Sequence, residues 1–320
     1  MTKLALLFLF LLSNLLGKAE NDTKYNLIVS QDGSGDFTHI QDAIDATKAF
    51  PDKRISIFIK NGIYREKVLV PSWNTLLSLV GENVEKTIVI WDDYFDKIGR
   101  GRNSTFFTYT LKIEADDFFA KNLTIKNTAG PVGQAVALHV EGNRCVFKNC
   151  ILSGNQDTAY LSGENSNQLF QNCTIEGTTD FIFGSATVVF YECSIISKAN
   201  SFTTAASTPK GKEFGFVFLK CWLHASENVS EVYLGRPWRP YAKTVFIRCE
   251  LGDHIVPEGW KEWSNKDNLS TTYYGEYMNT GTGANLKNRV NWSFQLSKKQ
   301  AKKYAVQKIL GDWANTFQDD

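Results

Sequence analysis

The chain has 320 residues, 35 Lys+Arg against 34 Asp+Glu, and 43% hydrophobic residues. With only 7 Pro and 6 Cys it is neither a disordered chain, a collagen-like repeat nor a small disulfide scaffold. A formal charge of +1 argues against a general nucleic-acid binder or a basic membrane-surface protein.

The first segment reads as an address rather than as structure. Lys3 is followed by a dense apolar run, Leu4 to Leu16, too short for a comfortable membrane span. Gly17-Lys18-Ala19 then offers small residues at a cleavage site. This pattern predicts a signal peptide over 1–19 and a mature chain over 20–320, secreted or periplasmic, with no membrane span. Removing Lys3 and Lys18 leaves 33 bases and 34 acids.

Next in order, Thr38 to Ala49 places Ile40, Ala43, Ile44 and Ala46 or Thr47 at helical spacing, which predicts a short capping helix. A repeat then runs through the middle of the chain. Phe147-Lys-Asn-Cys150-Ile-Leu152 recurs at Phe170 to Ile175, Phe190 to Ile195, Phe218 to Leu223 and Phe246 to Leu251, with a degenerate copy at Ala120 to Ile125. Each copy alternates apolar and polar residues, as a strand with one buried face does. Successive copies are 27, 23, 20, 28 and 28 residues apart, too far for hairpins and with no helical pattern between them. A stack of coils that each add a strand to one sheet meets both conditions, so the repeat predicts an all-β, single-stranded parallel β-helix. A length that would ordinarily suggest two domains then reads as one solenoid. Ser297 to Leu310, with Ala301, Tyr304, Ala305 and Ile309-Leu310 on one side, predicts a second helix lying over the stack.

Five of the six cysteines share one position of the repeat. They read as a ladder of buried free thiols, with Leu123 in the same slot of another coil. Neighbouring strands about 4.8 Å apart leave a bridge within reach. No C-x-x-C and no His/Cys pair at zinc spacing occurs, so no metal site is expected.

Used as a ruler, the repeat exposes a pair of acids. Asp157 lies seven residues after Cys150, and Asp180 seven after Cys173, which puts both at one place on successive coils. The same count in the next coils falls on Asn200 and Asn228. Two carboxylates about 5 Å apart repel, so one is expected to keep its proton while the other ionises. Gln156 and, one coil earlier, Gln134 could donate hydrogen bonds to an oxyanion. Arg236 could pair with an ionised Asp, while Tyr160, Phe181, Phe183 and Trp238 surround the same motifs. Taken singly, a loop Asp is usually a turn residue, an aromatic is usually core and an Arg a solvated charge; the shared register lifts the Asp pair above that.

These residues resemble the pectin methylesterases, a carbohydrate esterase family. The resemblance runs from about Ile28 to Trp263 through Asp32-Gly-Ser-Gly-Asp36-Phe37, Gly62-Ile-Tyr-Arg-Glu66, Asn127-Thr-Ala-Gly130, Gln134-Ala-Val-Ala-Leu138, Gln156-Asp-Thr158, Asp180-Phe-Ile-Phe-Gly184 and Leu234-Gly-Arg-Pro-Trp238. It implies a right-handed β-helix and a monomeric, cofactor-free and metal-free pectinesterase. Methyl-esterified homogalacturonan would be the substrate and a proteinaceous inhibitor a further partner. Carried over by motif, Asp180 is the nucleophile and Asp157 the general acid/base. Gln134 and Gln156 would stabilise the oxyanion and Arg236 would bind Asp180. Trp238, Tyr160 and Phe183 would line the sugar cleft, with Thr105 another substrate contact. Ala159 departs from the larger apolar residue usual there.

Three other readings stand beside it. A Ser-His-Asp esterase lacks G-x-S-x-G and would have to use His39, His139, His224 or His254. A β-helical polysaccharide lyase or glycosidase could also use two close carboxylates. A non-catalytic pectin-binding solenoid would bind without releasing methanol. Seven Asn-x-Ser/Thr sequons occur, at Asn21, Asn103, Asn122, Asn172, Asn228, Asn268 and Asn291, of which Asn122 and Asn172 fall inside predicted strands.

Overall fold

Phe147 and Cys150 are three residues apart, so a straight strand would point them to opposite faces. The chain instead turns a corner between them. The computed structural model, which describes residues 25–163, 165–264 and 266–317, ends one strand at Lys148 and starts the next at Ile151. At the corner Asn149 adopts φ 51°, and the same left-handed conformation recurs at Asn122, Asn172, Glu192, Lys220 and Arg248. Each copy of the repeat is therefore two strand ends joined by one left-handed residue, not the single strand expected. That residue lets Phe, Cys and the following apolar side chain all point inward. Asn accepts this conformation readily, whereas Glu192, Lys220 and Arg248 pay about 1–2 kcal/mol each for it. Asn122 and Asn172 consequently lie at corners rather than inside strands.

One coil supplies three strands, Cys145–Lys148, Ile151–Ser153 and Ala159–Leu161, before Asn167–Gln171 resumes the first sheet. Every ladder is parallel, and among the described residues the three sheets hold 11, 8 and 7 strands. The result is a right-handed parallel β-helix, the hand that parallel crossovers take.

The core is built from like stacked on like. Phe147, Phe170, Phe190, Phe218 and Phe246 stack with ring centroids 4.7, 5.3, 4.4 and 4.3 Å apart, close to the spacing of the strands that carry them. Each ring is fully buried, worth about 1.5–3 kcal/mol of transfer free energy. Ile125, Leu152, Ile175, Ile195, Leu223 and Leu251 form a second in-register column.

The six cysteines are buried and free. Those at 173, 193, 221 and 249 each place Sγ 3.3–3.5 Å from a Phe carbonyl of the preceding coil. Burial pushes the Cys145 and Cys150 thiols upward, away from the reactive thiolate. A thiol reagent is expected to leave the native protein untouched and to titrate six thiols in denaturant; fewer than six would reveal bridges.

A helix covers the amino end of the solenoid, whereas the carboxyl-terminal segment, expected as a second capping helix, lies along the side of the stack. Near the amino end the helix is Ile40–Asp45, shorter than the expected 38–49, because Thr47 tightens its last turn by donating to Ile44 O through both its amide and its hydroxyl. Its first amides, Ile40 N and Gln41 N, donate to the Glu66 carboxylate at 3.0 and 3.1 Å. The expected single helix over 297–310 is three pieces: Lys298–Ala301, a 3-10 turn Lys302–Tyr304, and Val306–Leu310. Extended backbone at Ala305 (ψ 138°) breaks it. That break lets both Tyr304 and Leu310 reach the outer face of the first sheet, where Val146, Leu169, Val189, Val217 and Val245 line up. Ala305 itself is exposed. No described helix is long and apolar enough to cross a membrane.

Candidate active site

Connection lengths decide which residues meet. Leu152 pairs with Ile175 in the second sheet and Ala159 with Ile182 in the third, so the two connections are equally long and Asp157 and Asp180 stack. In the next coil Ile175 pairs with Ile195 but Ile182 pairs with Thr204, a connection two residues longer. The residue stacked on Asp180 is therefore Phe202, whose carbonyl accepts the Asp180 amide at 2.8 Å, with Tyr233 beyond it. The expected equivalents, Asn200 and Asn228, fall out of register for this reason. On the other side Gln134 and Gln156 form a parallel bridge, as the one-coil offset predicts.

Asp157 and Asp180 both adopt positive φ, 66° and 49°, and are 8% and 5% exposed. Arg236 grips Asp180 with two parallel bonds, Nε to Oδ1 at 2.9 Å and Nη2 to Oδ2 at 2.6 Å. The guanidinium lies 3.9 Å from the ring centroids of both Phe202 and Trp263, which fixes its plane. Burial pushes the Asp180 carboxyl upward, and Arg236 pulls it back. Asp157 is pushed well above the carboxylate range, first by burial and then by the Asp180 charge, with only the weaker pull of Arg236 against it. The pair can thus share one proton, held on Asp157, leaving Asp180 as the carboxylate.

A cleft of about 280 Å³ opens above the acids. Thr105, Gln134, Gln156, Asp157, Asp180, Phe183, Arg236 and Trp238 all line it. Tyr160, expected in the lining, instead lies one coil behind, stacked on Phe183 at 4.7 Å and packed against Phe106 and His139. Phe181 points the other way and is fully buried: it precedes the strand Ile182–Gly184, directly after the left-handed Asp180, so strand alternation, which would put it on the same face as Phe183, does not reach it. Ala159 is likewise an inward core residue. In the same segment Gly184 (φ 128°) permits close passage, since a Cβ there would meet Leu161 O at 2.0 Å.

Sequence reasoning missed Phe95, Arg102, Phe106, Ala205 and Trp263, which complete the lining. Phe95, Arg102, Phe106 and Trp263 come from segments outside the three sheets, which no register predicts, whereas Ala205 pairs with Phe183 in the third sheet. Asn127 helps to hold the segment that carries Phe95, Arg102 and Phe106. Its buried Nδ2 is shared among the carbonyls of Asp93, Thr108 and Val136 at 2.9–3.2 Å, tying three cleft segments together. Other quoted motifs are structural too: Asp36 accepts from Ile28 N and Asp32 from Ser30 and Ser34.

A family model described as Pectinesterase matches residues 26–312. The Arabidopsis thaliana "Probable pectinesterase/pectinesterase inhibitor 23" is 38% identical over 289 residues, 86% of this chain and 50% of that protein. "Probable pectinesterase/pectinesterase inhibitor 6" of the same plant is 37% identical, with 92% of this chain and 54% of that protein covered. The chain thus spans about half the length of these curated relatives. Among solved structures, pectin methylesterase from carrot superposes with a TM-score of 0.86 at 32% identity, covering 94% of this chain and 97% of that one. A pectin methylesterase Asp-to-Ala mutant in complex with a hexasaccharide matches at 0.80 and 29%, covering 91% and 98%. With the fold matched along nearly its whole length and the family model spanning both acids and Arg236, the chain belongs to the pectinesterase family.

Proposed function

We propose that this protein hydrolyses the methyl esters of galacturonate units in pectin, releasing methanol and de-esterified pectin, through Asp180 and Asp157. The observation that carries the reading is the bidentate Arg236–Asp180 pair beside a buried Asp157, whose carboxyl burial pushes upward. Ionised Asp180 attacks the ester carbonyl carbon, and the carbonyl oxygen takes up the negative charge. Gln134 and Gln156 sit half-buried in register above the acids, and their side-chain amides have no partner among the described residues, so both can donate to that oxygen. The tetrahedral centre collapses, its C–O bond to methoxide breaks, and the Asp157 proton leaves with it as methanol. The Asp157 carboxylate then takes a proton from water as the water oxygen attacks the acyl-enzyme anhydride. This frees the galacturonate carboxyl and restores both aspartates.

Phe183 and Trp238, edge to face at 5.8 Å, offer the apolar surface on which sugar rings pack, and Thr105 a polar edge. Tyr160 supports Phe183 from behind. A serine triad has no support, because no histidine hydrogen bonds a serine among the described residues. Residues 20–320 would act as one secreted catalytic domain once 1–19 is removed. The paired names of the relatives suggest a pectinesterase inhibitor as partner.

Methanol release from methylated pectin, with chain length followed in parallel, tests the reading. Methanol without shortening is expected; shortening would favour a glycosidase or lyase, and binding without methanol a non-catalytic solenoid. Gln134→Ala and Gln156→Ala are each expected to lower kcat by about 10²–10³-fold with little change in KM, the scale on which loss of an oxyanion donor acts.

A further inference from the structure

The outer face of the first sheet carries a groove of about 470 Å³, on a different sheet from the catalytic cleft and larger than it. Its floor is a column of four in-register residues, Tyr191, Leu219, Ile247 and Tyr277, with a tyrosine at each end. The carboxyl-terminal segment forms the facing wall. It contributes Ala301 and Ala305, whose small side chains leave the groove open.

Charge is one-sided here. Lys220, Arg248, Lys298 and Lys302 line the groove and no acid does, in a chain whose bases and acids number 35 and 34. All four are exposed. Lys220 is bonded to Glu192 at 3.0 Å and to the Tyr191 hydroxyl at 2.9 Å. The side chains of Arg248, Lys298 and Lys302 have no partner among the described residues.

Backbone conformation points the same way. Lys220 and Arg248 stand at the left-handed corners that Asn122, Asn149 and Asn172 occupy in earlier coils. Asn takes this conformation at less cost, and Arg248 gains no contact within the protein in return. A long cation is thus placed, against its own backbone preference, where it lines the groove.

A ligand suited to this surface is anionic, because only cations line it. It is extended, because the corner cations follow the stack axis at about 4.8 Å per coil. It also offers ring faces to the two tyrosines. A chain of free galacturonate units, the product of the proposed reaction, bears one carboxylate on each ring and meets all three conditions. We infer that this groove is a second, non-catalytic binding site for de-esterified polygalacturonate, which tethers the enzyme to polymer it has already processed. The choice of occupant rests on the esterase reading above.

Affinity electrophoresis in gels containing unesterified polygalacturonate tests this. The wild type is expected to be retarded, and less so as salt rises. Arg248→Asn and Lys302→Glu combined in one protein should weaken the apparent affinity about tenfold or more, the scale of a lost hydrogen bond to a charged group. Trp238→Ala, which strips the wall of the catalytic cleft, should keep most of the retardation. The combined variant should retain the wild-type kcat/KM on a short, fully methyl-esterified oligogalacturonate. Arg248→Asn alone should bind more weakly and yet melt at a higher temperature, because Asn suits the corner better. No retardation of the wild type, unchanged retardation in the combined variant, or its loss in Trp238→Ala overturns the inference. Equal retardation by polyglutamate would show a surface that reads charge alone and overturns the polyuronate assignment. Weaker binding together with a lower melting temperature in Arg248→Asn would trace the loss to the fold and overturns it too. If the wild type releases no methanol from the short oligomer, the esterase reading fails instead, while the electrophoresis, which needs no turnover, still decides the groove.

Discussion

Asp180→Asn is expected to reduce methanol release by roughly 10⁴-fold or more, the scale on which removing a nucleophile acts in other covalent hydrolases. The amide is nearly isosteric, so the fold should survive. Asn Oδ1 can still accept one of the two Arg236 bonds, and Arg236 remains stacked between Phe202 and Trp263. The Arg236 side chain is also 24% exposed, so water can reach what the amide leaves unpaired. The cost in stability should be about 1–2 kcal/mol, the range for a hydrogen bond to a charged group. Binding of a methylated oligogalacturonate should persist, because the cleft walls are untouched. The measurements are methanol release, a thermal melt and calorimetric binding on one preparation. Full activity in this variant would remove Asp180 from the chemistry, and loss of both fold and binding would show a structural role instead.

Arg236→Leu should be more damaging to the protein as a whole. Arg236 is the principal influence that lowers the Asp180 carboxyl, and it also opposes burial at Asp157. Without it both carboxyls rise further. The proposed reaction needs Asp180 ionised, and that form is lost as pH falls through its pKa, so a higher pKa moves the acid limb of the kcat/KM profile to higher pH. Activity at neutral pH should drop about a hundredfold and recover in part at alkaline pH. The stability effect has its own sign. A carboxyl whose folded pKa lies above the unfolded value is stabilised by its proton at low pH, and that contribution is lost as pH rises through the folded pKa. Arg236→Leu should therefore lose most stability above neutrality, by about 3–5 kcal/mol where the buried carboxylate stands unpaired, and far less in acid. Melts across the pH range and the pH–rate profile check this together. A parallel loss at every pH would mean that Arg236 acts by packing alone.

Much of this site was legible because a solenoid turns sequence spacing into spatial position. Cys150 to Asp157 and Cys173 to Asp180 are equal intervals, and the structure stacks the two acids. Gln134 and Gln156 follow by the same logic. The rule fails where an interval changes: two extra residues before Thr204 put Phe202, not Asn200, beneath Asp180. It also says nothing of direction. Tyr160 and Phe183 share a column of the third sheet, but only packing shows that Phe183 meets the cleft while Tyr160 supports it from behind.

By itself, then, the sequence determined the coil period, the inward Phe and Cys columns and the identity of the two acids, because each follows from local pattern repeated along one axis. Only the tertiary structure decided that each repeat bends at a left-handed corner, that the carboxyl-terminal helix breaks at Ala305 to seat Tyr304 and Leu310, and that Arg236 reaches back 56 positions to hold Asp180. It also brought Arg102, Phe106 and Trp263 to the same cleft. These features depend on contacts between residues far apart in the chain, whose free energy exists only once the coils are stacked, and no local pattern records it.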